Sequence, residues 1–454
     1  MLAVVHAAAS LEIFRSASYY LNRPLAPKET MSHFPKMLEI RQSFPPSPRL
    51  DVRKVVQEQF ATSGLLASIT PGMRLAVGVG SRGITNLAEI VQAVLAVLTG
   101  AGARPFIIPA MGSHGGATAE GQAKVLAEYG VKPESIGVRV EACMEVRKIG
   151  TAFDSLDVVF STTALQSDGI VVINRVKPHT DFRGRLGSGI QKMLTIGLGK
   201  QIGAANAHAA ATRLGHERVF REFAKVILQK APILCGVAIV EDQHHQTSEI
   251  RVIPKEKIPI EEEKLLAKAE SLPARLPFDE IDLLIVDQLG KEISGSGMDT
   301  NVIGRDISGY SASLHADNNT IKPHIYRIFV RDLTKATNGN GCGIGLADFT
   351  TSRVVKALDF KYTYVNAMTS IGILPAKIPI YFDTDREALE QSIASLAISS
   401  PDKLRVVRIA NTLNLDRFLA SEACAGLLQG RTDVTATGIA AEMQFDVSGN
   451  LTPF

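Results

Sequence analysis

The sequence predicts an α/β protein: two α/β domains with mainly parallel, Rossmann-like sheets and an inter-domain cleft. Three observations predict it. Short apolar runs that end in glycine or a polar loop alternate with stretches of helical period. That β-loop-α alternation is the mark of a parallel, doubly wound sheet. A segment with two prolines and a charge cluster, LPARLPFDE at 272–280, parts two such series. With 454 residues, two domains are also the default for this length.

The first series reads in order. MRLAVGVG (73–80) is a buried strand and SRGITN is its loop. LAEIVQAVLAVLTGAG is a helix with Asn86 as its cap and a glycine stop. ARPFIIPA is a second strand, MGSHGGAT a second loop, and AEGQAKVLAEYG a second helix. LDVVFST and GIVVINRV are further strands, HERVFREFAKVILQ a helix and ILCGVAIVED another strand. In the second series IDLLIVDQ is a buried strand followed by the loop LGKEISGSGMDTN. YRIFVRDL and TNGNGCGIGLADF continue the α/β pattern. KIPIYFDTDREALEQSIASL reads as a strand, an Asp-capped turn and a helix, and LRVVRIANT as a late strand. The expected organisation is an extension over 1–36, a first domain over 37–275, a second over 276–435 and a surface tail over 436–454. The extension begins MLAVVHAAASLEIF, which lacks the basic start and cleavage site of a signal peptide, and Met31 and Met37 are alternative starts.

Composition bounds the function. Apolar residues make up 45% and charged residues 21%, ordinary values for a globular chain. A net charge of +3 gives no argument for nucleic acid or a membrane surface. No apolar run reaches the roughly 18–20 residues a membrane helix needs. The four cysteines, Cys143, Cys235, Cys342 and Cys424, lie far apart without C-x-x-C spacing, which argues against iron–sulfur or zinc-ribbon sites. The plain expectation is scattered thiols in a reducing cytoplasm.

Ligands in open α/β sheets sit at the carboxyl ends of strands. Four loops there combine glycine with polar or basic residues: Ser81–Asn86, Gly112–Thr118, Lys177–Lys192 and Gln288–Asn301. His114 in GSHGG is flanked by glycines that let a ligand approach the ring. His179 has a similar setting at the next strand end. Two imidazoles on one cleft suit acid/base work, because their ordinary pKa near ~6.5 lets each take or give a proton near neutrality. His208 lies in the helical GAANAHAAA. It reads either as structural or as a ligand for nickel, zinc or copper. Lys192 could be a nucleophile, hold a carbonyl-type cofactor, contact a phosphate or carry a solvated charge. The fork of Arg82 suits a carboxylate or phosphate. Gln288 and Lys291, three apart after a strand, can donate to one small acid. His244 and His245 form a further pair just past a strand.

The glycine runs carry no full dinucleotide fingerprint and no P-loop. GLGKQIGAANA is a glycine-rich helix entry that could cradle one phosphate, which fits a mononucleotide better than a dinucleotide.

GSRGITN, PAMGSHGGAT, RVKPHTDFRG, SGIQKM, NAHAA and DQLGKEISG, in this order and spacing, resemble the nickel-pincer lactate racemase superfamily over roughly residues 38–430. The resemblance implies two α/β domains around a cleft. It implies inversion at C2 of a 2-hydroxy acid by hydride removal and return. The cofactor it implies is a pyridinium-3,5-bisthiocarboxylic acid mononucleotide holding nickel, together with cofactor-biosynthesis proteins as partners. By the same resemblance Lys192 tethers the cofactor covalently and His208, sixteen residues on, ligates nickel. His114 and His179 are the catalytic pair and Arg82 binds the substrate carboxylate. Gln288 and Lys291 are the polar pair of the second domain that closes over cofactor and substrate. The chain departs from the family at Val79, where an acidic residue is usual, and has no Trp. Other readings are an α/β oxidoreductase with a different cofactor, or a non-catalytic nucleotide- or metal-binding homologue.

Overall fold

A computed structural model describes residues 34–44, 47–80, 83–179, 184–272, 274–305, 322–369, 372–398 and 400–454. Arg82 and nearly all of the expected N-terminal extension lie outside these residues.

The chain is an α/β protein built on two large sheets. The first has strand order β3-β2-β6-β7-β8. Its strands are β2 (Arg74–Val79), β3 (Arg104–Pro109), β6 (Gly169–Arg175), β7 (Ile233–Glu241) and β8 (Thr247–Pro254). All neighbours are parallel except β7 and β8. Successive side chains on a strand point to opposite faces, so a strand covered on both sides must be apolar throughout. Accordingly Leu75, Val77 and Val79 face one core with Val171 and Ile173, while Ala76 faces the other with Ile170 and Val172. Helices α1 (Val52–Ser63) and α2 (Leu87–Gly100) cover the first face through Phe60, Ile90 and Val94.

Helix α3 (Ala119–Glu128) starts at Thr118, whose side chain accepts the Gly121 N–H at 3.0 Å. A short helix α4 (Ile190–Lys192), a π-helical turn over Met193–Gly197 and α5 (Lys200–Leu214) follow β6. Helix α6 (His216–Lys230) and α7 (Ile258–Ser271) pack Phe220, Phe223, Leu265 and Leu266 on the second face.

The second sheet has eight strands in the order β12-β11-β10-β9-β13-β14-β1-β15. They are β9 (Glu280–Leu289), β10 (His324–Leu333), β11 (Phe349–Thr351), β12 (Ile380–Phe382), β13 (Val406–Ile409), β14 (Arg417–Ser421) and β15 (Val434–Ala441), joined by β1 (Met37–Gln42). The half from β12 to β13 is parallel and the rest antiparallel.

Several expectations differ from the structure. Met37–Gln42 does not join the first unit. It pairs between β14 and β15, where Ile40 is buried in the second core. Residues 436–454 lie at the surface as expected, but they are not a loose tail: 436–441 belong to edge strand β15, and Leu451 is buried. The backbone N–H of Leu451 donates to Asp385. LDVVFST forms β5 (Leu156–Ser161), which pairs with β4 (Val146–Ala152) in a separate antiparallel ribbon. Asn86 stands at the cap position of α2 but makes no capping bond, because its φ of 62° turns the side chain to Glu89 and Thr247 instead. Helix α8 (Asp385–Ala394) is capped by Thr384, not by aspartate. Asp385 is fully buried and pairs with Arg331 and Arg353.

Both sheets reverse their winding. From β2 the chain moves out to β3 and returns to the other side as β6. From β9 it moves out through β10 to β12 and returns as β13. The loops after β2, β6, β9 and β13 therefore diverge at the carboxyl ends, and ligand crevices open at such switch points.

Candidate active site

The loop after β6 is closed at its base. Lys177 and Ser188 exchange two backbone hydrogen bonds at 2.9 Å, so the chain from 178 to 187 leaves and returns at one place. Two neighbours then fix the start of α4. Asn174 of β6 donates its amide to the Gly189 carbonyl at 3.0 Å. Glu262 of α7 accepts the Gln191 N–H at 3.0 Å, supplying the acceptor an exposed helix start would take from water. A Cβ at position 189 would overlap the Glu262 carboxyl unless that side chain shifted. Burial pushes the Glu262 carboxyl up to about 7, against the hydrogen bonds from the Gln191 and Ile190 backbone, which lower it.

This mounting delivers Lys192 to His179. The lysine Nζ is hydrogen-bonded to His179 Nε2, and the histidine is 9% exposed. An ammonium only donates, so a charged Lys192 requires His179 Nε2 to be bare, with any ring proton on Nδ1. If the ring donates instead, the amine is neutral. The geometry admits one proton between the two nitrogens.

Two further imidazoles adjoin. The His179 ring lies 6.5 Å from that of His216, with an interplanar angle of 22°. His216 lies 6.2 Å from His208 in an edge-on arrangement. Phe220 walls the group, at 6.0 Å from His216 and 6.4 Å from His208. Helix α5 carries His208, and α6 begins with His216 directly after Gly215, whose φ of 82° reverses the chain. The stretch HERVFREFAKVILQ marks His216 only as a helix start. The readable signal was its place: directly after a glycine, eight residues beyond His208 and one helical turn before Phe220.

His114 sits on the exposed loop after β3. That loop rests on the Lys192 segment through Gly112, whose N–H donates to the Gly197 carbonyl at 3.2 Å and where an added Cβ would crowd Ile196. The φ of 61° at Gly112 also calls for glycine. In the second unit, exposed Gln288 ends β9 at that sheet's switch point. Lys291 follows, its N–H on the Thr337 hydroxyl at 3.2 Å and its amine donating to the Gly295 carbonyl. The structure thus joins His179, Lys192 and His208 through His216 and sets the His114 loop on the same helical segment. It places Gln288 and Lys291 on the other sheet. Arg82 lies outside the described residues.

His244 and His245 stand at the carboxyl end of β7, near the Arg175–Glu241 ion pair. Burial holds the His245 imidazole below its ordinary value. A separate hollow of about 670 Å³ at the linker is walled by Phe44, Arg275, Phe278 and Lys322, and the Phe44 ring meets that of His244 edge-on at 6.1 Å.

No protein-family model matches the chain, and no curated protein matches it. Among solved structures, the lactate racemase apoprotein from Thermoanaerobacterium thermosaccharolyticum is 13% identical with a TM-score of 0.43, over 65% of this chain and 74% of that one. A Thermotoga maritima protein is 12% identical with a TM-score of 0.47, over 81% of this chain and 98% of that one. Among the described residues, no three His, Cys, Asp or Glu side chains are grouped to hold a metal ion by themselves, and no helix is long and apolar enough to cross a membrane.

Proposed function

We propose that the chain is a racemase or epimerase that inverts C2 of a 2-hydroxy acid with a nickel-pincer nucleotide. The observation that carries this reading is the contact of the Lys192 amine with His179 beside His216 and His208. It is supported by the ordered motifs at 80–86, 109–118, 175–184, 188–193, 206–210 and 287–295. The donor set fits the group: an amine able to form an amide-type bond, and imidazoles, which suit nickel. One protein nitrogen is enough where the nucleotide supplies the other ligands.

In this reading Lys192 anchors the nucleotide covalently and His208 gives nickel its protein nitrogen. The bound group would accept and return the hydride of C2. The protein's own part is proton handling and orientation. His179 takes the substrate hydroxyl proton at Nε2, the ring atom beside the Lys192 nitrogen. His114 serves the opposite face, so each enantiomer meets a base. Arg82 and Lys291 hold the carboxylate, and Gln288 orients the cofactor from the second unit. Loading requires cofactor-biosynthesis proteins as partners. None of the four cysteines forms a disulfide among the described residues, in keeping with the reducing, cytoplasmic setting we propose.

Intact-mass analysis with nickel quantitation, on protein co-produced with cofactor-making enzymes, tests the reading. The expected result is one adduct on Lys192, one nickel per chain, and loss of optical rotation from a 2-hydroxy acid. Bound NAD or flavin in place of an adduct would overturn it.

A further inference from the structure

Lys200 opens helix α5 with its side chain fully buried, a rare state for a lysine. Its ammonium donates to the Pro109 carbonyl at the end of β3 at 2.6 Å and to Oε1 of Gln122 at 3.3 Å. Among the described residues no carboxylate meets it. Burial lowers its pKa to about 8. The backbone is held in a left-handed conformation there, with φ of 55°. Gln122, likewise fully buried on α3, donates Nε2 to the Gly112 carbonyl at 2.8 Å and to the His114 carbonyl at 3.4 Å.

These bonds have a direction. An amide presents one acceptor end and one donor end. The Lys200 ammonium can face only the acceptor, so it compels the NH₂ of Gln122 to face the His114 loop. Without Lys200 the amide is free to turn its oxygen toward two carbonyl oxygens and repel them. We propose that Lys200, acting through Gln122, is the positioning residue that fixes the His114 loop against the helix bearing His208. The inference rests on the proposed function for its catalytic consequence, but not for its structural one. A buried polar relay is costly when half satisfied, which argues for a specific task at this place.

Hydrogen exchange of the full-length protein tests it, with Lys200→Met and Gln122→Glu. Gln122→Glu keeps a partner for the ammonium and so preserves the fold, but removes the donor to the loop. Amides of 112–118 should exchange about tenfold faster or more in both variants, while those of β6 and β7 stay unchanged. In loaded enzyme, kcat should fall by a similar factor with KM little altered, the split expected of a misplaced base. Unchanged loop exchange in Gln122→Glu, or a uniform rise across β6 and β7, overturns the proposal. Because exchange needs no turnover, a chain that inverts no 2-hydroxy acid would sink the proposed function and leave this test intact.

Discussion

The Lys192 amine and His179 Nε2 are hydrogen-bonded across a thirteen-residue separation in the chain. Neither nitrogen can act alone. While the lysine is free it occupies the ring atom that a substrate hydroxyl would use. On the proposed function, acylation of the amine would remove its charge and leave a single N–H, so the step that anchors a cofactor would also change the base beside it.

Replacement of His179 or His114 by alanine is expected to lower kcat by ~10²–10⁴-fold, the range for loss of a positioned proton-transfer group. Steady-state racemisation followed by polarimetry reads this out. Wild-type turnover in either variant would remove that residue from the chemistry. The His179 variant carries a second expectation: its adduct on Lys192 still forms, since the amine and not the ring makes the bond.

His208 and His216 are neighbours with different expected tasks. His208→Ala should lose nickel outright. His216→Ala should keep nickel with affinity weakened ~10–100-fold, as when a supporting neighbour of a ligand is removed. Metal titration of both variants decides the assignment. The reverse ranking would make His216 the ligand.

The Glu262 carboxyl carries a pH signature. Its folded value of about 7 stands above the ordinary 4.5 of a glutamate, so the folded chain holds this proton more tightly than the unfolded one. Stability from this group is greatest below pH 4.5 and declines as pH rises toward 7, by up to about 3 kcal/mol. Glu262→Gln keeps an acceptor for the Gln191 N–H and should remove that slope. Urea unfolding at several pH values measures it. Parallel pH curves for the two proteins would show that the carboxyl ionises normally.

Much of the fold was legible because local signals and global role agreed. The strands over 74–79, 104–109, 169–175, 233–241 and 280–289 have apolar centres with polar residues mainly at their ends, as both-face burial demands. What escaped depended on distant partners. β1 is a short strand whose register is set by β14 and β15, far along the chain, and no local pattern reveals that. The β4–β5 ribbon looks like any other strand pair until its packing is known. In the candidate site, His114 and His179 stand out by their glycine-rich loops, while Lys192 and His208 are singled out only by the family resemblance. His216, Glu262, Lys200 and Gln122 do not stand out, because their meaning lies in contacts between elements: an edge-on ring, a carboxyl at another helix's start, and an amide turned by a buried amine.

The insertion of Met37–Gln42 between β14 and β15 makes the second unit a closed loop of chain. Its earliest-synthesised strand, β1, waits for the last two before it has both its neighbours. During translation the first unit has everything it needs in hand, while the second stays open until synthesis is nearly over. A truncated product beginning at position 43 would split that sheet down a seam and bare two facing edges, ready to recruit a stray strand from another molecule.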